Sequence, residues 1–201
     1  PRAIRDVYKR QTLLHGVSGS GKTTLLNIMS GLLKPASGTV FVEGSDIYSL
    51  STSERDDIRL NRIGMIFQEH SLIVDFTVRE NVELILRVRG FGSRSRVMAI
   101  EALERVGIAH LQDRYPRQLS GGEAQRVGIA RAIAGDRPIL LADEPTGQLD
   151  RRNSQMVFEL LRALAEDEKG RTVVLSSHDP TAKEYAHRSC ELVDGHLEDS
   201  C

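Results

Sequence analysis

An α/β architecture built on a mostly parallel sheet is expected from three features of this chain. A glycine-rich loop, Gly16-Val17-Ser18-Gly19-Ser20-Gly21-Lys22-Thr23-Thr24, separates a short apolar run from a helical one. Two later runs, Ile139-Leu140-Leu141-Ala142 and Thr172-Val173-Val174-Leu175-Ser176-Ser177, are apolar enough for strands covered on both faces, and both end in polar residues. Helical periodicities alternate with these strands, which is the pattern of parallel pairing with a site at the strands' carboxyl ends.

The chain is taken in order from its first residues. Asp6-Val7-Tyr8-Lys9-Arg10-Gln11 resembles the in-frame translation of a transposon-end adapter used in sequencing libraries. Residues 1–11 are therefore set aside, and 12–201 are expected to form a single, N-terminally truncated domain. Thr12-Leu13-Leu14-His15 reads as a buried strand, and Leu25, Leu26, Ile28, Met29, Leu32 and Leu33 recur at helical spacing after the loop. Lys34-Pro35-Ala36-Ser37-Gly38 is a break, and Thr39-Val40-Phe41-Val42 is a strand that ends at Glu43-Gly44 and opens a small antiparallel β-lobe.

Ser53 to Leu60 begins with a capping serine followed by acidic residues and reads as a short helix. Ile63-Gly64-Met65-Ile66-Phe67 is a strand running into Gln68. From about Thr77 to Ala134 the pattern is helical, with Val78, Val82, Leu84, Ile85 and Val88 on one segment and Ala99, Ile100, Leu103 and Val106 on another. An inserted helical lobe is accordingly placed at about residues 72–134, with loops at Gly90-Phe91-Gly92-Ser93 and Tyr115-Pro116. Met156, Leu160, Leu161 and Leu164 stripe the helix that follows Asp150, and Gly195 marks a hairpin between Glu191-Leu192-Val193 and His196-Leu197.

The 27 basic and 28 acidic side chains leave a formal charge of -1, so composition provides no argument for nucleic acid as a partner. Neither a membrane-spanning run nor a signal peptide is apparent, and a cytosolic protein is expected. Cys190 and Cys201 follow no metal-ligand spacing.

The loop fits G-x-x-x-x-G-K-[ST], in which glycines let successive N–H groups point at phosphate oxygens beside the positive end of a helix. Lys22 then reaches the β- and γ-phosphates and the Thr23 hydroxyl holds Mg²⁺. The rival reading is a Gly/Ser-rich turn that happens to carry a lysine, since the four fixed positions match by chance in roughly one chain of this length in 150. Asp143 and Glu144 follow a buried strand, where a P-loop nucleotide hydrolase places a magnesium-binding aspartate, and Glu144 is poised to orient or deprotonate a water. Alone, the pair would read as a solvated acidic loop. Leu119-Ser120-Gly121-Gly122-Glu123 is either a helix cap or a second anion site at a helix N-terminus.

The run from Leu119 through Gln125-Arg126-Val127-Gly128-Ile129-Ala130-Arg131-Ala132 resembles the signature of ATP-binding cassette (ABC) ATPases. The remaining motifs stand in that family's order: the phosphate loop at Gly16, Ser18, Gly19, Ser20, Gly21, Lys22, Thr23 and Thr24, then Gln68 as the Q-loop glutamine. The signature at Ser120, Gly121 and Gly122 follows, then Asp143-Glu144, a D-loop ending at Asp150, and His178 as the switch histidine. The resemblance covers essentially Thr12 to Leu197. Phe67-Gln68-Glu69, Thr77 to Val82 and Asp143 to Gly147 are similar to the branch that exports macrolides, releases lipoproteins or serves cell division. Val17, Gln148 and Ser177 depart from that branch's usual proline, asparagine and threonine, and none of the three removes a phosphate-contacting group.

The resemblance implies an ABC ATPase fold and an ATP- and Mg²⁺-dependent hydrolase that works as a head-to-tail homodimer with two ATP molecules between the subunits. Thr23, Gln68 and Asp143 would serve the metal, Glu144, His178 and Gln68 the hydrolysis, and Ser120, Gly122 and Asp150 would act across the interface. It also implies an integral membrane permease as partner and a place on the inner face of the cell membrane. Export or extraction of a substrate through that partner is the leading expectation. An ATPase regulator of a division-type membrane complex is the alternative, and a soluble repair or translation cassette is disfavoured because neither a long coiled coil nor a second cassette is present. The family carries an adenine-stacking aromatic before its phosphate loop; Tyr8, the only aromatic there, is rejected for that role because it belongs to the adapter-like segment.

Overall fold

The computed structural model describes residues 11–168, 170–193 and 195–200. Tyr8 and the rest of the adapter-like segment up to Arg10 lie outside the described residues, as do Lys169, Asp194 and Cys201.

A six-stranded sheet forms the centre, in the order β4-β5-β6-β1-β7-β8. Its strands are β1 (Gln11–His15), β4 (Ile63–Ile66), β5 (Ile139–Asp143), β6 (Thr172–Ser176), β7 (Arg188–Val193) and β8 (His196–Ser200). All neighbours pair in parallel except β7 and β8, which form the hairpin expected at Gly195. Gln11, set aside on sequence, is the first residue of β1 and pairs with Val173. The β-lobe is smaller than expected: only Phe41–Val42 (β2) and Ser45–Asp46 (β3) pair, antiparallel, while Thr39 and Val40 stay outside the ladder.

Among the described residues six α-helices surround the sheets: α1 (Lys22–Met29), α2 (Thr52–Arg62), α3 (Val78–Val88), α4 (Ser95–Arg105), α5 (Gly121–Ile133) and α6 (Arg151–Glu166). The helix expected from Ser53 starts earlier, because Ser51 is the cap that accepts the Glu54 N–H while the Glu54 carboxylate takes the Ser51 N–H. The helical lobe consists of α3, α4 and α5. Its core face differs from the expected stripe, since Val78, Val82 and Leu86 are buried whereas Leu84 and Val88 are exposed. On α6 Met156 is likewise exposed, and Val157, Phe158, Leu161 and Leu164 face the core.

Two apolar clusters hold the layers together. The larger runs from the helical lobe through α5 to α6 and one face of the sheet, and the smaller lies between the other face, α1 and the β-lobe. Arg105 of α4 bonds Asp167 beyond α6 and reaches Asp136 at 3.5 Å, so the helical lobe is tied to the core by charge as well as by packing. Among the described residues, no helix is long and apolar enough to cross a membrane.

Candidate active site

β1 delivers the chain into the phosphate loop at the carboxyl end of the sheet, and Gly21, in a left-handed conformation, starts α1. A side chain at Gly16 would come within 2.5 Å of the Leu192 carbonyl, so only glycine fits where the loop leaves the sheet. Lys22 is 7% exposed and folds back over the loop, donating to the Gly16 carbonyl at 2.9 Å and the Val17 carbonyl at 3.1 Å. The Ser20 hydroxyl is buried with no partner among the described residues. An inward hydroxyl, the N-terminus of α1 and a sheltered ammonium together fit a bound phosphate chain. His15, just ahead of the loop, has its pKa lowered by burial and by the Lys183 charge, against a smaller opposing effect of Glu191.

β5 carries Asp143 alongside this loop. The Thr23 hydroxyl donates to Asp143 Oδ1 at 3.1 Å, and a hydroxyl beside a carboxylate is a donor set suited to a hard divalent cation. Among the described residues no group of three or more His, Cys, Asp or Glu side chains converges, so a cation here would depend on substrate oxygens for its other ligands. Glu144 leaves the strand in a left-handed conformation, φ +45°. Its Oε1 lies 3.8 Å from Lys22 Nζ, and its Oε2 lies 2.9 Å from His178 Nδ1 and accepts the His178 N–H at 3.3 Å. Lys22, Thr23, Asp143, Glu144 and His178, more than 150 residues apart at the extremes, are thus brought together. Gln68 is exposed, and its amide lies against Gly147, where an added Cβ would come 2.9 Å from Nε2.

Ser120, Gly121, Gly122 and Asp150 form a second assembly. Ser120 caps α5 in a box with Glu123, whose pKa is lowered by the Ser120 N–H and then by its hydroxyl. Asp150 caps α6 and holds the Asn153 amide, whose Oδ1 lies where a side chain at Gly122 would need to go. The atoms nearest an added side chain at Gly121 or Gly122 belong to Gln148, Leu149 and Asn153, and none belongs to the phosphate loop. Ser120, Arg126, Asp150 and Asn153 line one open groove of about 430 Å³.

Sequence reasoning missed two residues of these assemblies. Ser176 bonds both Asp143 and Glu144, and Asn153 packs on Gly122. An Asp three residues before an Asn at a helix start was a readable signal for Asn153. For Ser176 nothing local distinguished it from the strand it ends.

A family model described as ABC transporter matches residues 7–147. The lipoprotein-releasing system ATP-binding protein LolD of Blochmanniella floridana is 44% identical over 191 residues, spanning 94% of this chain and 81% of that protein. The uncharacterized ABC transporter ATP-binding protein MJ0796 of Methanocaldococcus jannaschii is 43% identical over 191 residues, spanning 91% and 80%. A solved dimeric structure of the MJ0796 cassette, in a post-hydrolysis state bound to ADP and Pi, superimposes with a TM-score of 0.85 at 38% identity and covers 96% of this chain and 86% of that one. The gathered motifs, the sheet order and these likenesses agree: the chain belongs to the ABC transporter family, among its ATP-binding subunits.

Proposed function

We propose that this chain is the ATP-hydrolysing subunit of a membrane transporter, that it pairs with a second copy and a separate membrane subunit at the cytoplasmic face, and that extraction of lipoproteins is its class of work. The observation that carries the hydrolytic reading is the convergence of Lys22, Glu144 and His178 beside a phosphate loop, with the Glu144 carboxylate within 4 Å of both Lys22 Nζ and His178 Nδ1. The likeness to lipoprotein-releasing subunits supports the cargo class. The dimeric MJ0796 structures support the pairing.

In this reading Lys22 exchanges the carbonyls of Gly16 and Val17 for the β- and γ-phosphates, and the loop N–H groups hold the remaining oxygens. Ser18, Gly19, Ser20, Gly21 and Thr24 shape or line that cradle. Thr23 and Asp143 would hold Mg²⁺, which offsets phosphate charge when bound, and Gln68, in the segment that leads from β4 to the helical lobe, would reach the same ion. Glu144 takes a proton from the attacking water, and His178 orients the Glu144 carboxylate and steadies the γ-phosphate. Ser120, Gly121, Gly122 and Asp150, which share no groove lining with the phosphate loop, act on the nucleotide of the second copy. A γ-phosphate gripped by two surfaces holds them closed, and its release lets them part.

The Glu144→Gln variant tests this. It keeps ATP binding, loses turnover by about a hundredfold or more, and accumulates as an ATP-held dimer in sedimentation with Mg²⁺. Normal hydrolysis by this variant would overturn the assignment.

A further inference from the structure

Ser176 is the last residue of β6, fully buried and opposite Asp143 in the β5–β6 register. Its hydroxyl donates to Asp143 Oδ1 at 2.8 Å and accepts the Glu144 backbone N–H at 2.9 Å. None of the roles described above uses this hydroxyl. Two features of the acidic pair show what it does. Glu144 holds a positive φ, which is unfavourable for a residue with a side chain, so neighbouring bonds must sustain it. Asp143 receives the Ser176 and Thr23 hydroxyls on the same oxygen, Oδ1, and among the described residues no donor reaches Oδ2.

We propose that Ser176 is a positioning residue for hydrolysis. One hydroxyl fixes the peptide between Asp143 and Glu144, so that the first carboxylate stays with Thr23 while the second turns to Lys22 and His178. The bond from the Glu144 N–H occupies the Ser176 oxygen as acceptor, which commits its single proton to Asp143. The aspartate is thereby held by one oxygen and keeps the other for a cation. A shift of the strand end by a fraction of an ångström would move both carboxylates at once, because they flank the same peptide. The inference rests on the hydrolytic reading given above.

The experiment uses Ser176→Ala, Ser176→Val and Ser176→Thr in the full chain, because Thr and Val share a shape and differ by the hydroxyl. Turnover, KM and binding of a fluorescent ATP analogue are measured, the last in EDTA and in Mg²⁺. Ala and Val lower kcat about tenfold or more, the scale of a lost hydrogen bond to a charged group, while Thr stays within about threefold of the parent. Affinity in EDTA stays within about twofold for all three, and the gain in affinity on adding Mg²⁺ shrinks for Ala and Val only. Equal kcat for Val and Thr, a kcat for Ala matching the parent, or an EDTA affinity falling in step with kcat would each overturn the proposal. Should Thr fail to fold for want of room, the Ala variant decides by the same readouts. Glu144→Gln separates the two levels: if it hydrolyses normally the hydrolytic reading fails and Ser176 with it, and if it is inactive while Ser176→Ala is normal, only the role of Ser176 fails.

Discussion

Gln11 is wholly buried at the start of β1, yet neither the oxygen nor the nitrogen of its side-chain amide has a partner among the described residues. Its backbone is fully used: the N–H donates to His187 Nδ1 and the carbonyl accepts the His187 N–H, both at 3.0 Å. With Nδ1 an acceptor, the imidazole proton sits on Nε2 and is donated to Glu166, 3.0 Å away. The position therefore needs a strand backbone and an apolar side chain. Gln11→Leu is expected to stabilise the fold by about 1–3 kcal/mol, the cost of an unsatisfied buried amide. Thermal unfolding reads this as a rise of roughly 2–4 °C per kcal/mol. A lower midpoint would show that the amide is satisfied after all. Ser176 is the complementary case, a polar residue whose burial is matched by two hydrogen bonds at the acidic pair Asp143 and Glu144.

The helices show how local chemistry and packing divide the work. Ser51, Thr77 and Ser120 each cap a helix in a reciprocal box with the glutamate three residues on. Removing one such side chain, as in Thr77→Ala, is expected to cost about 1 kcal/mol in a urea titration and to leave ATP binding untouched. Charge adds a pH dependence. Glu80 has its pKa lowered first by the Thr77 N–H and then by the Thr77 hydroxyl. Because the folded value is the depressed one, its contribution is complete above the unfolded carboxylate range and is lost as pH falls through the folded value. The stability difference between the parent and Glu80→Gln should therefore be full at neutral pH and fade in acid. A difference that grows in acid would contradict the box. The apolar stripe of α3 was less legible, because hydropathy treats Leu84 and Leu86 alike and only the packing of α4 and α5 buries one and leaves the other in water.

Over the whole molecule, two separate groups of residues gather the motifs. Lys22, Asp143, Glu144 and His178 meet at the carboxyl end of the sheet, whereas Ser120 and Asp150 share a groove with Arg126 and Asn153. Ser120→Arg should therefore leave nucleotide binding to the monomer largely intact and block dimer closure and hydrolysis. Mixing it with Lys22→Ala subunits should restore one composite site per dimer at most. Normal activity of Ser120→Arg alone would refute action across an interface.

The order of motifs, the parallel strands and the choice of Lys22, Thr23, Asp143 and Glu144 as residues of one site were legible before any fold was known, because short-range constraints write them. A phosphate loop needs glycines and a lysine at set spacings, and a doubly covered strand needs an unbroken apolar run. The strand ends, the buried face of α3 and α6 and the true cap of α2 were misplaced by a few residues, since neighbours across the sheet and between layers decide them. Ser176 was beyond local reading for the same reason, and so was the contact of Asn153 with Gly122, although the Asp150 cap of Asn153 was not. Ser176 acts only because β6 lies beside β5 with Asp143 in register, and Asn153 touches Gly122 only because α6 starts against the turn that opens α5. Sequence specifies which groups are available, and the long-range pairing of strands and helices decides which of them share a hydrogen bond.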